Sequence, residues 1–273
     1  MARKQLNYQS VLLNDCFSIK KYNDDYYKLI YHKYPIKNGG FELKKPNVEI
    51  SRNVNDEKLD NNLSRAKSKV FEYAACNNFD YFITLTLDPI RYNRYDLSKF
   101  IKDLGQYIRD LRKKTGADIQ YLLIPEPHKD GAWHMHGLVK GFPDQELELF
   151  TLQDKLPYRV LELIKNGRQI YNWTSYAEKF GWCTVERVKS RNAVSKYITK
   201  YISKALTVDF KREKEKKLYY VTRGLKTAEK VKEGHLSSDQ LDKITFNYEN
   251  DYVKLLDLNG IEYLKLCNEL NIL

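Results

Sequence analysis

The apolar positions along the chain follow two periods, and the switches between them mark out its elements. From Leu59 to Cys76 apolar side chains recur at Leu63, Ala66, Val70 and Ala74, the spacing of one helical face. YFITLTL at 81–87 is a continuous apolar run closed by Asp88-Pro89, which predicts a buried strand. Asp96 stands where an N-cap belongs. The helix predicted behind it, to Lys114, carries Leu97, Phe100, Ile101, Leu104, Ile108 and Leu111 on its apolar side. Strands follow at 119–126 and 133–140, CTVERV at 183–188 reads as another, and Asn192 to Leu206 as a helix. Residues 143–181 are mixed and partly helical, without a period that places their elements. Toward the ends, YYKLIYHKY at 26–34, LYYVTR at 218–223 and the alternation near 244–258 predict strands, KNGG at 37–40 a turn, and 261–270 a short helix. Helices and strands alternate, but a hairpin joins two of the strands. The pattern therefore points to an α+β fold with a central antiparallel sheet flanked by helices, not to a doubly wound parallel one.

Composition narrows the setting. With 42% hydrophobic residues the 273-residue chain can bury a core, and 30% charged residues suit a solvated surface. No apolar run approaches the ~20 residues that cross a membrane, and the apolar stretch near the basic N-terminus is too short for a secretory signal. Cys16, Cys76, Cys183 and Cys267 lie far apart without CxxC spacing, which indicates neither a zinc knuckle nor a disulfide framework. A reducing cytoplasm is the expected compartment. The net charge of +11 is concentrated: residues 187–230 hold 14 Lys and Arg against 4 Asp and Glu, a surplus of 10. A basic stretch is usually a solvated face. Here it is interleaved with Tyr197, Tyr201, Tyr219 and Tyr220, so bases could stack while cations follow phosphates. Arg187, Lys189, Arg191, Lys196, Lys211, Arg212 and Arg223 are the candidate DNA contacts.

Candidate chemistry sits in two segments. In WHMHGLV at 133–139 strand alternation sends His134 and His136 to one face. Lys129-Asp130-Gly131 suits a three-residue hairpin loop with Gly in the left-handed conformation. Such a loop pairs His128 with Ala132, hence Glu126 with His134 and Ile124 with His136, which sets Glu126 beside both imidazoles. A two-residue loop would turn it away. Two imidazoles and a carboxylate suit a divalent metal, Mn²⁺ or Mg²⁺, with nitrogen ligands favouring Mn²⁺ and zinc remaining open. His128 is an outside candidate on the same face.

In SKYITKYISK at 195–204, Tyr197 and Tyr201 stand one above the other on a helix, each with a lysine three residues later, Lys200 and Lys204. Lys196, Lys200 and Lys204 form one flank, and Val194, Ile198, Ile202 and Leu206 the other, so both tyrosines lie at the seam between a basic and a buried stripe. A phenol with a pKa near ~10 attacks a phosphate slowly unless a cation lowers that value or a metal activates the phosphate.

FITLT at 82–86, HMH at 134–136 and YITKYISK at 197–204, in that order, resemble the three motifs of HUH-superfamily rolling-circle replication initiators. The doubled YxxK is similar to the two-tyrosine A proteins of phages, and Glu126 matches the third metal ligand of related viral initiators. YYVTRGLK at 219–226 is similar to a segment that follows the tyrosine helix in phage and mobile-element members. The resemblance implies an RRM-like antiparallel sheet with the histidine strand in its middle and the tyrosine helix against it. This domain would span 61–225, with an N-terminal extension over 1–60 and a C-terminal extension over 226–273 packing on the core. It implies a catalytic role for Tyr197 and Tyr201 in nicking single-stranded origin DNA. The products would be a 5′-phosphotyrosine and a free 3′-hydroxyl, with rejoining by the second tyrosine. Lys200 and Lys204 would stabilise phosphate charge or assist proton transfer, and Thr84 and Thr86 would line the site. The chain has no GxxxxGK[ST] loop, so a separate helicase and a host polymerase would be partners in a bacterial cell carrying a phage or plasmid. A conjugative relaxase or tyrosine transposase would share this chemistry. A non-enzymatic single-stranded nucleic-acid binding protein would need only the charge and the aromatics.

Overall fold

The computed structural model describes residues 11–38, 56–204 and 217–272. Strands β1 (Val11–Leu13), β2 (Cys16–Asn23), β3 (Tyr26–His32) and β4 (Ile36–Asn38) come first. The helical spacing before Cys76 becomes α1 (Asp56–Cys76), the apolar run becomes β5 (Tyr81–Thr86), and the stretch behind Asp96 becomes α2 (Leu97–Thr115). The Asp96 carboxylate accepts from the Lys99 N–H at 2.9 Å, and the N–H of Gly116, at φ 71°, returns to the Arg112 carbonyl. Both ends of α2 thus satisfy backbone groups that a helix leaves unpaired.

β6 (Gln120–Pro127) and β7 (Trp133–Lys140) form the hairpin. Residues 143–181 hold short elements, β8 (Leu147–Leu149), α3 (Tyr158–Lys165), β9 (Ile170–Trp173) and α4 (Thr174–Lys179), each too brief to establish a period. β10 (Cys183–Arg187) and α5 (Arg191–Lys204) follow, then β11 (Tyr220–Val221), which is all of the LYYVTR segment that pairs. The described chain closes with β12 (Glu229–His235), α6 (Ser238–Leu241), β13 (Tyr248–Glu249), β14 (Val253–Leu258) and α7 (Gly260–Glu269). The lysines and glutamates of β2 and β12 hide their alternation from a hydrophobicity reading. No helix among the described residues is long and apolar enough to cross a membrane. Of the expected features, KNGG falls partly, and the end of the tyrosine helix at Leu206 wholly, outside the described residues.

Two units make up the chain, Asp56–Lys226 and the pair of end segments Met1–Asn55 and Thr227–Leu273. In the first, seven strands run in the order β11-β6-β7-β5-β10-β9-β8, and every adjacent pair is antiparallel. Alternation gives this sheet two apolar faces. Ile83, Leu85, Leu123, Met135 and Val185 pack with Phe100, Leu104 and Ile108 of α2. Leu122, Ile124 and Leu138 pack on the opposite face with Val70 and Ala74 of α1 and Ile198 and Ile202 of α5. A fully buried Leu, Ile or Phe contributes roughly 1.5–3 kcal/mol, so these clusters fix both helices to the sheet. α5 therefore lies on the face that carries the two histidines.

The end segments, which the sequence presents as two separate additions, pair with each other. Their sheet has the order β12-β2-β3-β14-β13, so strands from both ends alternate within it. Phe17, Ile19, Leu29 and Tyr31 share its core with Leu258, Leu266, Cys267 and Leu270. Pairing between segments some two hundred residues apart leaves no mark in a local pattern.

Gly137, directly after the histidines, is held by a close approach of strands. A Cβ there would come within 2.4 Å of Leu123 Cδ2 and 2.7 Å of the Leu122 carbonyl oxygen. Gly137→Ala is therefore expected to destabilise the unit by about 1–3 kcal/mol through overpacking, read as a lower urea midpoint with an unchanged slope.

Candidate active site: a histidine hairpin facing a tyrosine helix

The hairpin loop is the one its residues predict. The His128 N–H donates to the Ala132 carbonyl at 2.7 Å, and Gly131 adopts φ 83°. Asp130 braces the turn: it accepts from the Ala132 N–H at 3.0 Å and from the Arg94 guanidinium at 2.9 Å. This loop sets Glu126 opposite His134 and Ile124 opposite His136, and Glu126, His134 and His136 share a face.

On the other side of β7, β5 pairs Thr84 with His136 and Thr86 with His134. The threonine hydroxyls consequently sit 3.2 Å from His136 Nδ1 and 2.9 Å from His134 Nδ1. With each Nδ1 engaged, the Nε2 atoms are the ones left to meet a ligand, the arrangement by which a hydrogen bond orients a metal-binding histidine. His136 Nε2 lies 2.6 Å from Glu126 Oε2. Burial, reinforced by the neighbouring His128 and His136, holds the His134 imidazole below its ordinary pKa and so keeps it neutral, the form that binds metals. Among the described residues no three His, Cys, Asp or Glu side chains converge closely enough to count as a metal centre. Glu126 and His136 touch, and His134 is their neighbour on the same face. The donor chemistry of two anchored imidazoles and one carboxylate fits a divalent ion of the Mn²⁺ or Mg²⁺ kind.

α5 brings its tyrosines to this face. Ser190 accepts from the Ala193 N–H at 3.2 Å near the helix start, and Ser195, Ile198 and Ile202 are fully buried, which fixes the rotation of the helix on the sheet. That rotation makes the tyrosines unequal. Tyr201 is 5% exposed and stacks on His136, with ring centroids 3.8 Å apart and planes 17° from parallel. Tyr197 is 43% exposed, with its ring edge-on to Phe82 at 5.5 Å. The Tyr201 hydroxyl donates to the Tyr197 oxygen at 2.8 Å, and Lys200 Nζ stands 3.4 Å from the Tyr197 ring centroid. Burial resists ionisation of Tyr197, but the hydrogen bonds from Lys200 and Tyr201, with the charges of Lys200 and Arg159, outweigh it and bring the phenol below its ordinary value. Burial, the hydrogen bond to Tyr197 and the nearby Glu126 carboxylate push Tyr201 the other way.

The other expected residues are scattered. Lys204 is the last residue of α5, and Lys196 is exposed on that helix. Lys189 and Arg191 line a hollow of about 190 Å³ with Asn77 and Val194. Arg187 follows Glu186 on β10, so alternation turns it to the other face, where its guanidinium carbon lies 5.0 Å from the Tyr81 ring centroid. Arg223 is exposed in the turn after β11. Lys211 and Arg212 lie outside the described residues. The sequence reading missed Arg159, whose charge reaches both tyrosines. It lies in the stretch without a period, ahead of the basic segment whose charges drew attention.

Residues 80–206, just under half of the chain, match the model of a family of replication-associated proteins typified by ORF2. No curated protein and no solved structure matches the chain. The matched segment runs from just before β5 to just past α5 and so contains both histidines, Glu126 and both tyrosines. The match supports a role in DNA replication of the rolling-circle initiator kind.

Proposed function

We propose that the chain nicks single-stranded origin DNA by tyrosine attack and rejoins strands during rolling-circle replication. The observation that carries this reading is the stack of Tyr201 on His136, which joins the tyrosine helix to the histidine hairpin. It leaves the Tyr197 hydroxyl open to a substrate a short distance from the histidines. His134, His136 and Glu126 would hold a divalent metal, Mn²⁺ or Mg²⁺, which when bound supplies Lewis-acid polarisation of a phosphate. Tyr197 Oη forms a bond to phosphorus while the bond from phosphorus to the 3′-oxygen breaks. The phenol proton passes to solvent, and the departing oxygen takes a proton to become the 3′-hydroxyl. Lys200 lowers the cost of the phenolate before attack and offsets charge on the phosphate during it. Tyr201 donates to the same phenolate and, in a second cycle, becomes the nucleophile that accepts or releases the strand. The resulting 3′-hydroxyl is a primer for a host polymerase, and a separate helicase unwinds the duplex.

The test is incubation with Mn²⁺ and single-stranded hairpin oligonucleotides from the intergenic sequence beside the gene. The expected result is a protein–DNA adduct that survives detergent, together with a 3′ end that a polymerase extends. Tight binding without any adduct would instead identify a single-stranded nucleic-acid binding protein.

A further inference from the structure

Beside Tyr197 lies an open cleft of about 720 Å³, within the ~300–1,000 Å³ range of small-ligand sites. Phe82, Leu163 and Val194 give it apolar walls, contributed by β5, α3 and α5. Arg159 and Lys189, both exposed, also line it and form no ion pair among the described residues. The cleft contains one acid, Glu186, and Arg168 neutralises it at 2.5 Å. An apolar interior bordered by unpaired cations, with an acid that is already matched, complements a group that is flat and apolar on its faces and anionic at its edge. Gln169 adds an amide that can both donate and accept.

We propose that this cleft seats one nucleobase, splayed out of the single strand, next to the phosphate presented to Tyr197. The base lies against Phe82, Leu163 and Val194, Gln169 reads its edge, and Arg159 and Lys189 hold the adjoining backbone phosphates. The assignment rests on Tyr197 as the nucleophile for its place in the reaction, but not for the binding itself. It gives the site a sequence preference at one position that neither the metal ligands nor the tyrosines would supply. No local pattern signals the cleft, because three of these residues fall in the stretch without a period.

The probe is a set of short oligothymidylates, each carrying one 5-iodouracil at a different position, irradiated with the full-length protein without added metal. One position is expected to crosslink in preference to the rest, to a peptide containing Phe82 or residues 159–169. Ala193 also lines the cleft and is exposed on α5. Ala193→Trp should fill the space and lower that crosslink on the order of tenfold, with the far-UV spectrum unchanged. Should that variant fail to fold, Arg159→Ala serves: it should weaken oligothymidylate binding several-fold and flatten its salt dependence by about one phosphate, ~0.7 in the log–log slope. Even crosslinking along the strand, crosslinks mapping elsewhere, or an unchanged yield in Ala193→Trp together with an unchanged slope in Arg159→Ala would each overturn the base site. A crosslink at the cleft in a protein that never forms a tyrosyl adduct would refute the nicking reading and keep the base site. An adduct without any cleft crosslink would do the reverse.

Discussion

Tyr197→Phe is expected to remove nearly all first-strand cleavage, a loss on the order of a thousandfold or more, as for removal of other enzymatic nucleophiles. Tyr201→Phe should be milder for that step. Its hydroxyl donates to the Tyr197 oxygen at 2.8 Å, and a hydrogen bond to a charged group is worth ~1.5–3 kcal/mol, so the cut should slow roughly 10- to 100-fold. The pH profile gives an independent check. Tyr197 ionises below its ordinary value although burial opposes this, because Lys200 and Tyr201 favour the phenolate. Removing the Tyr201 donor raises the Tyr197 pKa, so a smaller fraction is ionised at a given pH and the rising limb of the rate profile moves to higher pH. Strand closure, which needs a second nucleophile, should be lost in both variants. Mapping the phosphotyrosyl peptide by mass spectrometry decides the order. If first-cut adducts lie on Tyr201, the exposed tyrosine is not the leading nucleophile.

The second large effect concerns the histidine hairpin. Replacing His134 and His136 together by alanine should abolish nicking, as should a chelator acting on the unaltered protein. Affinity for a short single strand should stay within about twofold, because phosphate contacts come from Arg and Lys side chains elsewhere. Calorimetric titration with Mn²⁺ should show one site in the parent chain and none in the double variant. Thr84→Val and Thr86→Val, which keep the strand shape but release the Nδ1 atoms, should each weaken Mn²⁺ binding by roughly 10- to 100-fold. Full Mn²⁺ affinity in the double-histidine variant would sink the metal assignment. An equal loss of DNA binding and nicking would reduce the histidines to a structural role.

Much of this arrangement is encoded locally. The 3-to-4 spacing before Cys76 and behind Asp96 specifies α1 and α2, and alternation specifies β5, β7 and β10, because each element buries one face whatever partner it finds. Lys129-Asp130-Gly131 specifies its loop through the one residue that takes φ 83° without strain. From that loop alone follow the register of β6 on β7 and the place of Glu126 beside the histidines. Other features depend on contacts between residues far apart in the chain, and no local pattern records them. The pairing of β5 with β7 brings Thr84 and Thr86 to the imidazoles, and the end segments meet in one sheet. Arg159 approaches the tyrosines from an unpatterned stretch. The sequence leaves Tyr197 and Tyr201 equivalent, each with its own lysine. Burial of Ser195, Ile198 and Ile202 against the sheet rotates α5 so that one phenol stacks on His136 and the other faces solvent. Helical spacing determines that the two tyrosines stand together. Which of them is exposed depends on the surface the helix packs against, and that surface exists only once the strands have paired.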